Sequence, residues 1–459
     1  MKFETFGNEF VKAISSVSYI IPARSTLPIL GDILFELRGN TLKMLSSDLE
    51  IFIRTSIEVN GKEDGEIAIP SRDLLNLVRS LSSYIEVSDN FPNLKPDMIS
   101  NELQNFDIFR DKFKCDFSRG KITLRGYITP DEKFNIISLC TDKALEEAIE
   151  NLYLKYDEFL SLNKISFDTT QTHKINIKTK NGKYLLSGES AEDFPEIEEK
   201  EELKTIDLTG LNLSKYLRRI IHATSNEEIR RNMTGVLLDI RPNEIRFVAT
   251  DGFRLSKTIR QNFKHNITKE EKLIIPKKTC QTVLRMLKNE NAKLEFDQSM
   301  IKLSFDNTEI YSKLIDDTFP NYETVIPKEN DKKLKINTKE FYGTVDRVKT
   351  LSDESSHRVK LEIKTNELIV KADNPEKGAE GLETIDCYFV KIDSQDFDFN
   401  KEPFNVAFNA KYLLECIRQI ETDELLMSFS SAAKASIATP TEYDKDEDYM
   451  ELIMPVRVS

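Results

Sequence analysis

The chain has 459 residues, of which 39% are hydrophobic and 31% are charged, and its formal net charge is −13 at pH 7. This composition is typical of a globular protein and excludes a disordered chain. No apolar run reaches the roughly 18 residues of a membrane-spanning helix. The first residues, Met1–Glu4, lack the apolar core of a signal peptide. Its 5 Cys residues include no Cys-x-x-Cys pair, which indicates free thiols in a reducing compartment. We therefore expect a cytoplasmic protein without membrane contact.

One supersecondary pattern recurs three times along the chain. Each copy opens with an amphipathic helix and continues with two strands, the second of which ends in an Asp turn. A further strand, a second helix and closing strands follow. The opening helices are predicted at Asn8–Ile20, Ser214–Ser225 and Thr338–Leu351. The second helices begin at Ser71, Lys277 and Ala410. The pattern predicts an α+β fold of three repeats, each with two helices packed on antiparallel sheets.

Domain boundaries follow from the repeats. Phe194-Pro195 and Phe319-Pro320 end the first two copies, and a polar stretch follows each. We predict domains at 1–202, 203–330 and 331–459. The first copy also contains an insertion at about 84–163 that has no counterpart in the others. Its own signals are a strand pair around Phe113–Tyr127 and a helix at Asp142–Leu162, and nothing in it indicates chemistry.

The Asp turn of the middle copy differs from the other two. The three turns end at Asp48, Asp251 and Asp373, but only Asp251 continues into Gly-Phe-Arg-Leu, residues 252–255. A feature that all copies share indicates architecture. A feature confined to one copy is a better candidate for function, although a simple hairpin turn would also explain it.

The repeat helices carry more Lys and Arg than Asp and Glu in a protein whose net charge is negative. If these helices share one face, that face is basic, which favours contact with nucleic-acid phosphates without base readout. The alternative is that the cations are ordinary solvated side chains.

Signals of catalysis are missing from the sequence. None of His173, His222, His265 and His357 has metal-ligand spacing with another His or a Cys. A phosphate-binding Gly-rich loop, a nucleophile elbow and a His-Glu-x-x-His motif are also absent. We expect no metal, no cofactor and no catalytic residue.

Several motifs in order resemble one family, the bacterial sliding clamp (the DNA polymerase III beta subunit). They cover nearly the whole chain outside the insertion. The matching segments are Met1–Phe3, Arg24–Gly31, Ser47–Glu50, Val248–Leu255, Phe319–Tyr322, Asn374–Glu376 and Met454–Arg457. The resemblance implies a head-to-tail homodimer that closes a ring around duplex DNA and slides on it without sequence preference. It also implies that the ring is a non-catalytic processivity factor, which tethers the replicative polymerase and the clamp loader through short peptide motifs.

The resemblance further implies a cleft for partner peptides, formed by the middle Asp turn and the C-terminal tail. Carried onto this sequence, its residues are Met233, Thr250, Gly252, Phe253, Arg254, Leu255, Pro320, Thr324, Val325, Leu452, Met454, Pro455, Val456 and Arg457. Apolar side chains would form the floor, and Arg254 and Arg457 would hold peptide carbonyls or acids. Phe253 and Thr324 depart from the family pattern, where His and Arg are common, and this affects the expected peptide preference.

Two further sets of residues combine the resemblance with the helix charges. The predicted DNA-facing residues are Arg24, Arg79, Lys215, Arg218, Arg219, Arg230, Arg231, Arg285, Arg347 and Arg418. The predicted dimer-interface residues, with domain one against domain three, are Leu77, Leu81, Lys183, Leu351, Glu376, Glu380 and Glu383. Two alternatives stay open: a divergent clamp-like scaffold that binds peptides without a replication role, and an enzyme whose site lies in the insertion.

Overall fold

The computed structural model describes residues 1–22, 24–81, 86–90, 113–116, 121–125, 143–162, 164–180, 182–198, 200, 202–287, 291–390 and 402–457. The chain divides into two compact units. The first comprises residues 1–199 with 307–310, and the second comprises 200–306 with 311–459. The second unit thus contains nearly all of the predicted second and third domains.

The first unit carries two helices of the repeat, α1 (Gly7–Val17) and α2 (Ser71–Leu81). Its first strands are β1 (Lys2–Phe6), β2 (Asp32–Arg38), β3 (Thr41–Ser47), β4 (Ile51–Glu58), β5 (Asn60–Glu63) and β6 (Gly65–Pro70). The described parts of the insertion are β7 (Glu86–Asn90), β8 (Phe113–Asp116), β9 (Lys121–Arg125) and α3 (Lys143–Leu162). β10 (Lys164–Thr169), β11 (Lys174–Lys178) and β12 (Lys183–Ser187) follow.

Antiparallel sheets organise this unit. One sheet has the order β12-β11-β10-β1-β5, and β6-β2-β3-β4 form another antiparallel run. Aromatic side chains fill the core between helix and sheet: the rings of Phe3 and Phe167 stack with centroids 5.0 Å apart, and Phe10 of α1 meets Phe167 edge-on at 5.3 Å. The predicted strand pair of the insertion corresponds to β8 and β9, which pair with each other, and β7 joins them.

The second unit contains two copies of the repeat. The first has β13 (Lys204–Asp207), α4 (Leu213–Ile220), β14 (Gly235–Arg241), β15 (Glu244–Thr250), β16 (Arg254–Gln261), β17 (Glu271–Pro276), α5 (Lys277–Met286), β18 (Lys293–Phe296), β19 (Met300–Phe305) and β20 (Thr308–Lys313), although residues 308–310 of β20 are assigned to the first unit. The second has β21 (Lys332–Asn337), α6 (Thr338–Val348), β22 (Arg358–Ile363), β23 (Glu367–Asn374), β24 (Ala379–Phe389), β25 (Phe404–Asn409), α7 (Ala410–Ile417), β26 (Glu424–Phe429), β27 (Ser436–Pro440) and β28 (Glu447–Ile453).

These two copies share one twelve-stranded sheet. Its order is β17-β14-β15-β16-β28-β27-β26-β21-β24-β23-β22-β25. The join is the antiparallel pair β16–β28, in which Leu255 is opposite Leu452 and Lys257 is opposite Met450. The last strand of the chain thereby extends the sheet of the middle copy, and this pairing places the residues after β28 beside the turn before β16.

The helix ends differ from the predictions in the same way in all three copies. The α-helical part of each opening helix is shorter than predicted, and a 3-10 turn completes it at Ser18–Ile20, Ile221–Ala223 and Lys349–Leu351. Three helices start with an asparagine cap: Asn212 of α4, Asn337 of α6 and Asn409 of α7 each accept a hydrogen bond from a backbone N–H of the first turn.

Asp32 at the start of β2 is a buried carboxylate whose Oδ2 has no hydrogen-bond partner. Burial, helped by the nearby carboxylate of Glu189, raises the pKa of Asp32 to about 6. Because the folded-state pKa lies above the unfolded one, the folded chain gains stability from this group at low pH. That stability is lost as the pH rises from about 4 to about 6.

We therefore expect Asp32→Asn to stabilise the protein at pH 7 by about 1–3 kcal/mol and to have little effect near pH 3.5. Denaturant unfolding at both pH values measures the difference. Glu63→Gln, which removes a charge from an exposed position of the same unit, is the control and should give no pH-dependent gain. An equal effect of Asp32→Asn at both pH values would contradict the prediction.

Candidate functional site

The middle Asp turn is fixed by its own hydrogen bonds. Asp251 Oδ1 accepts the backbone N–H groups of Phe253 and Arg254 at 2.9 and 3.0 Å. The Thr250 hydroxyl donates to the Arg254 carbonyl at 2.7 Å and accepts from Gly252 N–H at 3.1 Å. Gly252 has a φ of +89°, a conformation that favours glycine. The turn is thus rigid, and it leaves the Phe253 ring 50% exposed.

The C-terminal tail lies against this turn. Met454 N–H donates to the Phe253 carbonyl at 2.8 Å, which continues the β16–β28 pairing past Ile453. Val456 N–H then donates to the Ala407 carbonyl at 2.8 Å. Met454 is 39% exposed, so the turn and the tail present two adjacent apolar side chains. The structure therefore places side by side the turn and the tail, which the resemblance assigns to one cleft.

A buried apolar cluster supports the turn and the tail. Leu255 and Leu452 are 2% exposed and pack with Phe319, Tyr322 and other residues. The remaining members and neighbours are Leu237, Val248, Ile274, Ala435, Met450, Ile315, Ile326 and Ile437. Leu255 was predicted to belong to the apolar floor of the cleft and Leu452 to be a cleft residue, but both are core residues with little surface to offer a ligand.

The surface apolar residues of the predicted cleft are instead Phe253, Met454 and Val325, of which Val325 is 54% exposed. Met233, Pro320, Pro455 and Val456 are half-buried, and Thr324 and Arg457 are exposed. The Thr324 hydroxyl donates to the Asn321 carbonyl at 2.8 Å.

A polar network holds the segment that carries Val325. Tyr322, in the 3-10 turn just before it, donates its hydroxyl to Asp239 Oδ2 at 2.7 Å. Arg246 donates to the Tyr322 oxygen at 3.1 Å and to Glu323 Oε1 at 2.6 Å. Burial is the main cause of the raised pKa of Tyr322. Asp239 and Arg246 were missed by the sequence analysis, because their strand pattern indicates only architecture.

Arg254 does not have the predicted role. Its side chain is 6% exposed, and its guanidinium is used within the protein. Nε donates to Asp251 Oδ2 at 3.1 Å, Nη2 donates to the His222 carbonyl at 2.6 Å, and Nη1 pairs with Glu415. The guanidinium also lies 4.6 Å from the ring centroid of Tyr412, on which Phe253 stacks at 6.1 Å. Arg254 therefore supports the turn from behind, and Tyr412 is a second contributor that the sequence analysis missed.

The predicted DNA-facing residues separate into two groups. Most are exposed at the surface: Arg24, Arg79, Arg218, Arg230, Arg231, Arg285, Arg347 and Arg418. Lys215 and Arg219 contradict the prediction, because both cations are paired within the protein. Lys215 Nζ lies 2.9 Å and Arg219 Nη1 lies 3.3 Å from the same Glu447 oxygen, with side chains only 20% and 13% exposed. Tyr216 donates to the other Glu447 oxygen at 2.6 Å. This carboxylate on β28 compensates the two cations, so they join two copies of the repeat and do not form an open basic surface.

The predicted interface residues of the third copy lie in the 3-10 turn after α6, in β24 and in the turn before β24. Leu351 is 39% exposed and packs over Gly381 of β24, next to Leu382, which is 54% exposed. Glu383 accepts two hydrogen bonds from Arg347, at 2.9 and 2.7 Å, so a predicted interface residue pairs with a predicted DNA-facing one. Glu376 and Glu380 are exposed. In the first unit, Leu77 is half-buried and Lys183 is exposed, while the Leu81 side chain lies outside the described residues.

No helix within the described part of the chain is long and apolar enough to cross a membrane.

Comparisons with known proteins identify the family. Models of the N-terminal, central and C-terminal domains of the DNA polymerase III beta subunit match residues 1–109, 207–321 and 323–457. The chain therefore belongs to the DNA polymerase III beta subunit family. Similar relatives include the beta sliding clamps of Vibrio cholerae (23% identical over 461 residues) and Caulobacter vibrioides (24% over 460 residues). Both alignments cover 100% of each chain.

Solved structures share the fold. The DNA polymerase III subunit beta from Pseudomonas aeruginosa is 20% identical, with a TM-score of 0.76 and 100% of both chains covered. A sliding clamp from Bartonella birtlesii, bound to griselimycin, is 22% identical with the same TM-score and coverage. These matches confirm the predicted α+β fold of three clamp domains.

We expect Arg254→Ala to destabilise the second unit by about 3–5 kcal/mol, because the substitution leaves Asp251 and the His222 carbonyl without their partner. Denaturant unfolding measures the loss. Arg457→Ala is the matched control, since Arg457 is exposed, and should unfold like the wild-type protein. Wild-type stability of Arg254→Ala would mean that the guanidinium does not support the turn.

Proposed function

We propose that the chain works as a DNA sliding clamp: a head-to-tail homodimer of three-domain subunits that closes a ring around duplex DNA. The ring slides without sequence preference and tethers the replicative polymerase and the clamp loader in the bacterial cytoplasm. It acts as a non-catalytic processivity factor. The observation that carries this proposal is the match of three consecutive clamp-domain models across the chain.

The distribution of charge supports the DNA-binding part of the proposal. The chain has a net charge of −13, yet its repeat helices present exposed arginines, among them Arg79, Arg218, Arg285 and Arg418. An acidic protein with cations concentrated on particular helices is suited to contact phosphates at one surface while repelling nucleic acid elsewhere. Phosphate contacts of this kind position a duplex and do not read bases.

The turn and the tail support the tethering part. Phe253 and Met454 are adjacent, exposed and apolar, and the backbone beneath them is fixed by hydrogen bonds. A rigid backbone with exposed apolar side chains suits a short extended peptide that brings its own apolar anchors, because little ordering is needed on the clamp side. Met454 adapts to partners of different shape because its side chain is unbranched and flexible. We assign the cleft to Phe253, Val325 and Met454 at the surface and to Leu255 and Leu452 beneath them.

If the protein forms a ring around DNA, its retention on DNA should require the ring to be closed. Wild-type protein loaded on nicked circular DNA should stay bound through gel filtration and leave when the circle is linearised. Leu351→Lys with Leu382→Lys places two charges in the proposed dimer surface, and it should give monomers that are not retained. Light scattering at low micromolar concentration measures the mass.

Leu154→Lys is the control for this test, because Leu154 is 67% exposed on α3, outside the proposed surface. This variant should remain dimeric and retained. If the double variant stays dimeric, the interface assignment is wrong. If wild-type protein is a dimer that is retained equally on linear and circular DNA, the ring itself is contradicted.

If partner peptides bind in the proposed cleft, its exposed apolar residues should contribute to the binding affinity. Met454→Ala with Val325→Ala should lower peptide binding by about 1–3 kcal/mol per lost anchor, and stimulation of the polymerase should fall. Dimer mass should not change. Calorimetry with a synthetic peptide from the polymerase, together with a primer-extension assay, tests both effects.

Leu154→Ala removes an exposed leucine elsewhere and should behave like wild type. Leu255 is unsuitable for this test, because truncating a 2% exposed core residue would lower stability and confuse the outcome. Normal peptide affinity and full stimulation in the double variant would place the partner site elsewhere. Normal peptide binding by a wild-type protein that never stimulates synthesis would favour the scaffold without a replication role.

A further inference from the structure

Three metal-ligating side chains, distant in sequence, meet inside the second unit. His222 lies in the 3-10 turn after α4, Cys416 lies in α7, and Glu451 lies in β28. One ligand atom from each lies within 4.8 Å of the others. His222 Nε2 is 3.3 Å from Glu451 Oε2 and 3.9 Å from Cys416 Sγ. Spacing along the sequence predicted no metal site at any His, because all three ligands come from separate segments of two repeats.

The cluster is buried, and one oxygen of its carboxylate accepts no hydrogen bond from an N–H or O–H donor. Glu451 is 0% exposed and the His222 side chain is 10% exposed. Glu451 Oε1 accepts hydrogen bonds from the Ser256 hydroxyl at 2.7 Å and the Tyr449 hydroxyl at 2.5 Å. Oε2 accepts no hydrogen bond from an N–H or O–H donor; His222 Nε2 is close by, and the Cys416 thiol, a weak donor, interacts with this carboxylate. A buried carboxylate oxygen without a strong donor is costly, and a bound cation would reduce that cost.

We propose that His222, Cys416 and Glu451 bind a single Zn²⁺ ion. Bond lengths of about 2.0 Å to nitrogen and oxygen and about 2.3 Å to sulfur give tetrahedral edges of about 3.3 Å between N and O and about 3.5 Å between N and S. The first matches the observed separation, and the second requires Cys416 Sγ to approach by a few tenths of an ångström. A water molecule would complete the four-coordinate shell.

The donor set favours zinc over the common hard cations. A thiol and an imidazole are poor ligands for Mg²⁺ and Ca²⁺, which take shells of oxygen atoms. Sulfur, nitrogen and one carboxylate oxygen suit Zn²⁺, whose d¹⁰ shell imposes no geometry of its own. On binding, the Cys416 S–H bond breaks, a Zn–S bond forms, and the proton leaves to solvent. No oxidant or reductant takes part.

The charges of the proposed ligands also balance the charge of the ion. The thiolate of Cys416 and the carboxylate of Glu451 together neutralise Zn²⁺. The nearest cation described above, Arg254, has its own anions in Asp251 and Glu415. The occupied site therefore has no net charge.

The position gives the ion a structural role behind the peptide cleft. Arg254 binds the carbonyl of His222, and another of its partners, Glu415, precedes Cys416 in α7. Zn²⁺ would connect the end of α4, α7 and β28, and so fix two repeats to each other under the turn and the tail. This inference does not depend on the proposed function, because it concerns metal binding by the folded chain.

The test uses full-length protein freed of metal with a chelator. Calorimetric titration with Zn²⁺ should give one equivalent per chain, and Co²⁺ should produce the near-ultraviolet absorption of a thiolate–cobalt bond. Thermal unfolding should shift upward with Zn²⁺, because a ligand that binds only the folded state stabilises it. Cys416→Ala should abolish the thiolate–cobalt absorption, and Glu451→Gln should weaken binding by more than about 10-fold.

Cys280→Ala and Cys387→Ala are the matched controls, since both thiols are buried elsewhere in the same unit. They should keep full binding. Cobalt absorption that survives in Cys416→Ala would assign the metal to other thiols, and absence of the absorption in wild-type protein would leave the three side chains as an internal polar cluster. Either result overturns the proposal. If Cys416→Ala does not fold, Glu451→Gln decides, because it keeps the shape of the side chain: unchanged Zn²⁺ affinity in that variant also overturns the proposal.

Discussion

The antiparallel pairing of β16 with β28 is the constraint on which the second unit depends. It turns two repeats into one continuous sheet, with Arg254 opposite Ile453 at one end and Arg260 opposite Glu447 at the other. β28 supplies the shared carboxylate of Glu447, the buried carboxylate of Glu451 and, just beyond its end, the exposed side chain of Met454. β28 therefore provides most of the features that distinguish this unit from an ordinary sheet.

The regular elements could be predicted from sequence because their signals are local. Alternating apolar residues identified strands such as β22, and the three-and-four spacing identified helices such as α2. The ends of the opening helices could not be predicted as well. Their last turns tighten to 3-10 geometry, and the apolar periodicity of a helix changes too little over one turn to indicate this.

The sequence pointed to two segments that lie side by side in the structure, but not to the environment of several of their residues. The sequence pointed to the Gly-Phe-Arg-Leu turn and to the Met454 tail, and the fold brings them together. It also suggested that Arg254 faces a ligand, whereas the guanidinium is enclosed by Asp251, Glu415 and Tyr412. Lys215 and Arg219 were assigned to DNA for a similar reason: their partner, Glu447, is more than 200 positions away, at separations of 232 and 228 residues. Whether a cation is available to a ligand depends on such distant partners, which residue spacing does not reveal.

The same long-range pairing has a consequence for how the chain folds. The side chains of Ser256 on β16 and Glu451 on β28 form a hydrogen bond, although the two residues are 195 positions apart in the sequence. Contacts of such high sequence separation form slowly, because a long loop must close before any stabilising contact is gained. Until β28 arrives, β16 is an edge strand with unsatisfied backbone groups, able to pair with the β28 of another molecule. Refolding at high protein concentration should therefore favour exchange of this strand between chains, and dilution should favour the correct intramolecular pair.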